Sequence, residues 1–270
     1  MCMQHEDVLY LHYGAQCPGY RYMGEQGQKL AAVLGRPCRW IDVAKRPEYA
    51  ERHSMFFPGM IVIDDFSLVY PGRVNQMLDS YRRRGPIPGE TDWAVKPRLE
   101  PDEILPLVPG GADEAASICI KGAACVEDKK NWLTKEAREL AGGEVGYLGR
   151  VGGQAVAAVE FVREDRVPYP LPRRSEGSIF VTCLYSDASA AGDYRLALLR
   201  ALKGRARDLG YRGISAVTGI ETPYPNGPWP TFEAAGFRRG PFLGRALLRH
   251  RREDMYLVQL DLNGENGSVR

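Results

Sequence analysis

Three side chains in this sequence carry groups able to move a proton or attack an electrophile. They are Cys17 in "QCPGYRY", Glu160 in "VEFV" and Cys183 in "FVTCLY". Cys17 stands at the turn between an apolar strand, Val8–Tyr13, and a helix starting at Tyr20. By strand alternation Glu160 faces opposite to Val159 and Phe161; it lies on the solvent side or points into a cleft as a base. Cys183 is mid-strand, where a cysteine is commonly a small core residue; facing a cleft, it would be a nucleophile or a ligand-contacting thiol.

Two proline-rich aromatic stretches flank these strands, "VPYPLPRRSEG" (167–177) and "ETPYPNGPWP" (221–230). Loops of that kind on a rigid scaffold commonly wall a substrate pocket. Tyr169, Tyr224 and Trp229 are the candidate substrate-binding residues and point to a flat or partly apolar ligand. The other reading is that they cover the sheet or bind the first domain.

The chain has 270 residues, 44% hydrophobic and 26% charged, with a formal net charge of +2. That balance is ordinary for a soluble globular protein and gives no global field for nucleic acid. No apolar stretch is long enough for a bilayer and "MCMQHED" is not a signal peptide, so the expectation is a cytoplasmic protein with a small-molecule substrate, no nucleic acid and no membrane partner. Six scattered cysteines and four histidines show no metal-ligand spacing, so no metal site and no disulfide scaffold are expected. The basic run "RRGPFLGRALLRHRR" (238–252) reads as a solvated face, or else as an anion site.

The elements that would position these residues fall into two domains. A charged segment with four prolines splits the chain into 1–84, a linker at 85–102, and 103–270. The first part reads βαβαββα: strand Val8–Tyr13, helix Tyr20–Gly35, strand "CRWIDVA", helix "RPEYAERH", hairpin "GMIVIDD" and "FSLVY", helix "RVNQMLDSYRRR". The second reads as a strand, a short and a longer helix, two antiparallel strands joined by 150–153, the buried strand Ile179–Tyr185, and a helix ending at Gly210. A further strand, the short helix "WPTFEAAGF" and a terminal strand 254–262 complete it.

The first part, with Cys17 at its first strand-to-helix turn and Pro58 before the hairpin, resembles a thioredoxin-like domain. The resemblance implies a cysteine at a helix N-terminus, where the macrodipole favours thiolate. In Cys17-Pro18-Gly19-Tyr20 the resolving cysteine is absent, leaving a single low-pKa thiol, a binding surface or a relic.

The second part, roughly 103–262, resembles the GNAT N-acetyltransferase superfamily in its strand Ile179–Tyr185, turn Ser186–Tyr194, following helix and "FEAAGF". The strings "SICIKGAACVEDKKNWLTKE", "AVEFVREDRVPYPL" and "FVTCLY" resemble its YoaP-like branch, whose members place a thioredoxin-like domain after the transferase; here it comes first. The fold class implied is α/β: a thioredoxin-like domain followed by a GNAT-like acyltransferase domain with a mixed central sheet. The implied activity is N-acyl transfer to a small amine or related nucleophile, with acetyl-CoA or another acyl-CoA as donor.

That resemblance places cofactor binding at Leu184 and Tyr185, whose backbone amides could hold the acyl carbonyl, and at Ala190, Ala191, Gly192, Asp193, Tyr194 and Arg195. A pyrophosphate loop uses glycines to let backbone amides approach. Here only Gly192 remains, and Asp193 brings a negative charge, unless it acts as a helix cap. Arg195 or Arg200 could compensate. The family's acid tyrosine corresponds to Phe232, which has no proton to give; Tyr224, Tyr185 or a cysteine are substitutes. Catalysis is expected from Cys183, Glu160 and Cys17. Two rival readings stand: a non-transferase enzyme using cysteine thiol chemistry, and an inactive ligand- or partner-binding protein.

Overall fold

The computed structural model of the chain describes residues 7–69, 72–90, 95–119, 125–222 and 226–263. Short apolar runs bounded by Gly and Pro give strands β1 (Val8–His12), β2 (Cys38–Asp42), β3 (Gly59–Ile63) and β4 (Phe66–Val69). Between and after them lie helices α1 (Tyr20–Val33), α2 (Pro47–Arg52) and α3 (Val74–Arg83). The sheet order is β2-β1-β3-β4, with β1 parallel to β2 and antiparallel to β3. The element order is the βαβαββα read from the sequence.

The rest of the chain builds a mixed seven-stranded sheet. Its elements are β5 (Glu103–Leu107), α4 (Ala112–Cys119), α5 (Val126–Ala137), β6 (Gly146–Val151), β7 (Gln154–Arg163) and β8 (Ile179–Ser186). There follow α6 (Arg195–Asp208), β9 (Gly213–Gly219), α7 (Trp229–Ala234), β10 (Arg238–Leu247) and β11 (Arg252–Asp261). Strand order is β10-β11-β9-β8-β7-β6-β5. Helix α6 forms because Leu198, Leu199, Leu202 and Ala206 line one buried stripe, and it stops where Gly210 takes φ +76°, a conformation that favours glycine.

The basic run at 238–252 forms strand β10 and the turn into β11, paired from Arg238 with Gln259 to Leu247 with Arg252, and most of the strand is exposed or half-buried, as a solvated face is. Gly240, Pro241 and the arginines hide the alternation, and the ladder shifts register between Arg239 and Phe242.

Two apolar clusters hold the molecule. One lies within the first unit and joins Val8, Tyr10, Met23, Leu30, Ile61 and Met77. The other is continuous across both sheets, uniting Leu11, Tyr13, Val43 and Phe56 with Trp132, Tyr169 and Phe180. The two sheets therefore share a core, and the β1–α1 turn is pressed onto α5: Cys125 N–H donates to Pro18 O at 2.8 Å, and Tyr20 Oη to Asp128 at 3.0 Å.

Residues 95–99 of the expected linker also pack. Leu99 N–H donates to Asp193 O and Asp193 N–H to Pro97 O, so this segment runs along the β8–α6 turn as a short parallel bridge.

Candidate functional site

Strands β8 and β9 form the parallel pair of the large sheet, and they pair only from Ile179 to Val181 against Ile214 to Ala216. Beyond Val181 they part. On its other edge β8 stays paired with β7 as far as Ser186, with one extra residue, Thr182, between the Phe161–Val181 and Glu160–Cys183 pairs. That is a β-bulge, which twists and re-aims the strand.

Asp187 N–H donates to Val156 O on β7. Backbone groups alternate along a strand, so Tyr185 and Cys183 also bond toward β7, while the amides of Leu184 and Ser186 face the side from which β9 has departed. They are donors aimed into a slot. Asn226 closes its inner end, donating from Nδ2 to Val217 O at 2.9 Å and to Val181 O at 3.4 Å.

The side chains of β7 and β8 on the α4–α5 face form a polar group below this slot. Glu160 is 1% exposed, which answers its open orientation: it points inward. Its Oε2 accepts from the fully buried Lys129 ammonium of α5 and, at 3.3 Å, from Gln16 Nε2 of the β1–α1 turn. Lys129 also donates to Gln16 O and lies 4.9 Å from the Trp132 ring centroid. A buried ion pair is tolerable only when extra partners satisfy both ions, and here a residue of the first unit supplies two of them.

Tyr185 Oη lies 2.8 Å from Ala115 O and 3.4 Å from Glu160 Oε1. A phenol has one proton, and the carbonyl, which can only accept, takes it. Glu160 Oε1 is thereby left with accepting capacity. Gln16 Oε1 and the Tyr169 hydroxyl are buried with no hydrogen-bond partner.

The three thiols near this group differ. Cys17 is buried, and burial pushes its thiol up to about 11, against the lowering by the Gly19 backbone and Lys129. Burial therefore opposes the thiolate that a helix N-terminus implies. Cys183 and Tyr185 are half-buried and Cys119 is exposed. Burial raises Cys183 and Cys119, helped by the Glu160 charge. Among the described residues no three His, Cys, Asp or Glu side chains gather as metal ligands.

The turn expected to cradle a pyrophosphate is internally bonded. Ser189 N–H donates to Asp187 Oδ1, Ala190 N–H to Asp187 O, Tyr194 N–H to Ser186 Oγ and Arg195 N–H to Asp193 Oδ1. Arg195 forks onto the same Asp193 carboxylate at 2.8 Å. Asp193 is thus a carboxylate seated at the α6 N-terminus, where a phosphate would otherwise be stabilised.

From the linker, Lys96 Nζ donates to the carbonyls of Asp187, Ala188 and Ala190. A side chain at Gly192 would meet Leu99 at 2.5 Å, so this glycine serves the linker's approach. Ala191 is exposed and Ala190 half-buried. Arg200 is engaged with Glu100 at 3.4 Å, away from the turn.

Of the aromatic candidates, Tyr169 is 1% exposed and edge-on to Tyr13 and Phe180, a core residue whose hydroxyl lacks a partner. Trp229 opens α7 and lies 6.0 Å beneath the Arg239 guanidinium. Tyr224 lies outside the described residues. Phe232 is wholly buried against Phe237. Sequence reasoning missed Lys129, Gln16 and Lys96. Their signal is weak: a lysine inside the amphipathic stripe of α5, on the side of the buried Trp132, was the one hint available.

No protein-family model and no curated protein sequence matches the chain. Among solved structures it is similar to an N-acetyltransferase from Staphylococcus aureus Mu50 at 17% identity, over 60% of this chain and 98% of that one, with a TM-score of 0.44. It is similar to a ribosomal-protein-alanine N-acetyltransferase from Brucella melitensis at 14% identity, over 59% and 99%, TM-score 0.44. A third is a GNAT superfamily phosphinothricin acetyltransferase from Sinorhizobium meliloti in complex with acetyl-CoA, at 15% identity, over 62% and 91%, TM-score 0.45.

Proposed function

We propose that this chain is a GNAT-type acyltransferase that moves an acyl group from a thioester to a small amine or related nucleophile, with a thioredoxin-like unit closing the acceptor side. The observation that carries the reading is the parting of β8 from β9 after Val181, directly beside the Glu160–Tyr185 group. The β2-β1-β3-β4 order and the Cys17 turn support the thioredoxin-like reading.

A thioester bound in the slot supplies an activated acyl carbon. The chain's own residues do the rest. Leu184 and Ser186 amides hold the acyl oxygen as negative charge develops on it, the preorganised donors that acyl transfer needs. Glu160 Oε1 takes the proton of the acceptor ammonium, and Lys129 with Gln16 fixes that carboxylate in place. Tyr185 holds a proton at its phenol beside the same oxygen. The new bond is nitrogen to acyl carbon and the broken bond is acyl carbon to sulfur; the second proton lost by the attacking nitrogen goes to the leaving sulfur, which departs as the thiol.

An acyl-CoA donor fits at its thioester end. At its pyrophosphate end the fit fails as the turn stands, since the Asp193 carboxylate and the linker occupy the α6 N-terminus. The same observation favours a second reading, ligand binding without turnover. Thiol catalysis has less support, because burial keeps Cys17 and Cys183 protonated.

The test is an acyl-transfer assay on the full chain with acetyl-CoA and a panel of primary amines, following release of free thiol. Amine-dependent release abolished in Glu160→Gln supports the transferase. Saturable binding of a panel amine with no release supports binding alone.

A further inference from the structure

A second site lies on the first unit, away from the slot. A cleft of about 720 Å³ opens at the end of β1 and β2, lined by His12, Tyr20, Trp40, Arg39, Lys45 and Arg46 among others. His12 is nine-tenths buried, its ring stacked between Tyr10 and Tyr20 with centroids 5.4 Å away on each side and Trp40 edge-on at 6.3 Å. Its orientation is therefore fixed.

Nδ1 of His12 is 3.0 Å from Gly14 O. A carbonyl can only accept, so Nδ1 carries the proton and Nε2 presents a lone pair. Nε2 has no partner among the described residues and is not enclosed; it faces the cleft. Burial lowers the His12 pKa, which keeps the ring neutral and Nε2 an acceptor.

The rim is cationic. Arg39, Lys45 and Arg46 line the cleft against one carboxylate, Asp42, whose Oδ1 already accepts from the Gly14 and Ala44 amides at 3.1 Å. The three cations make ion pairs with Asp7 at 3.7 Å, Asp42 at 3.9 Å and Glu48 at 2.5 Å, all with cation side chains about half exposed or more. Exposed pairs of this kind contribute little, so a bound anion displaces them readily.

We infer that this cleft is a binding site for a planar heteroaromatic anion bearing an N–H donor, of the purine mononucleotide class. The ring lies against Trp40 and Tyr20, its exocyclic amine donates to His12 Nε2, and its phosphate meets Lys45 and the arginines. Aromatic stacking with a cationic rim is the combination that takes such ligands. Its lining includes none of Glu160, Tyr185, Lys129 and Gln16, so its existence does not depend on acyl transfer.

The experiment is calorimetric titration of the full chain with adenosine 5′-monophosphate, with adenosine and inorganic phosphate as separate arms. The site predicts one nucleotide per chain, with adenosine and phosphate each at least tenfold weaker. His12→Phe keeps the stacked ring and removes the acceptor; it should weaken the nucleotide by about tenfold, the effect of one lost hydrogen bond. Lys45→Glu, at an exposed position that cannot disturb the core, should weaken it by at least as much. No binding at millimolar nucleotide overturns the site, and so does unchanged binding in Lys45→Glu. Adenosine binding as tightly as the nucleotide overturns the anion assignment.

Discussion

The Lys129 ammonium and the Glu160 carboxylate form an ion pair whose side chains are 0% and 2% exposed. One comes from α5 and the other from β7, and Gln16 of the first unit bonds both. Removing one partner leaves the other charge buried and unpaired. Lys129→Met should therefore cost roughly 3–5 kcal/mol in urea unfolding, and the double change with Glu160→Leu should recover most of it. Equal losses in the single and double variants would contradict the pairing.

Glu164 gives a pH dependence. Burial raises its carboxyl to about 7. A raised acid holds its proton in the folded state while the unfolded chain has released it, so its contribution is full below about pH 4.5, the unfolded value, and is lost as pH rises through 7. Glu164→Gln should flatten the decline in unfolding free energy over that window and leave the variant more stable than the parent at pH 8. Parallel curves for parent and variant would place the titration elsewhere.

The plugged α6 N-terminus predicts that charge, rather than shape, opposes a pyrophosphate. Asp193→Asn keeps a side-chain oxygen for the Arg195 N–H and removes the charge, so coenzyme A should bind about tenfold more tightly by calorimetry. Unchanged affinity would point instead to the linker, and Lys96→Ala combined with it would then be the variant that responds.

At pH 7.5 a thiol with a pKa of about 11 is only about 0.03% thiolate. Cys17 should resist iodoacetamide in the folded chain and label once the chain is unfolded in urea, as read by peptide mass mapping. Rapid labelling of Cys17 would mean that the turn opens in solution.

Much of the architecture was legible in the sequence because each strand is a short apolar run between glycines or prolines. Glu160 and Cys183 were found from their place on two such strands, and they prove to be cross-strand partners. What the sequence hid was long-range. Glu160 takes its hydrogen bonds from residues 31 and 144 positions away, so neither its inward orientation nor its pairing leaves a local trace. Strand β10 was hidden by Gly240-Pro241 and its arginines, which read as a solvated face without announcing a strand. The linker's role was hidden for another reason: Lys96 bonds only backbone carbonyls, which no residue pattern announces.

The most direct test of the account is the steady-state rate of acetyl transfer to a responsive amine for Glu160→Gln against the parent chain, with thermal unfolding to confirm that both are folded. A positioned base contributes on the order of 100-fold or more, so kcat should fall by that factor while the KM for acetyl-CoA stays within about twofold. A folded Glu160→Gln variant that turns over at the parental rate would contradict the assignment of Glu160 as the base.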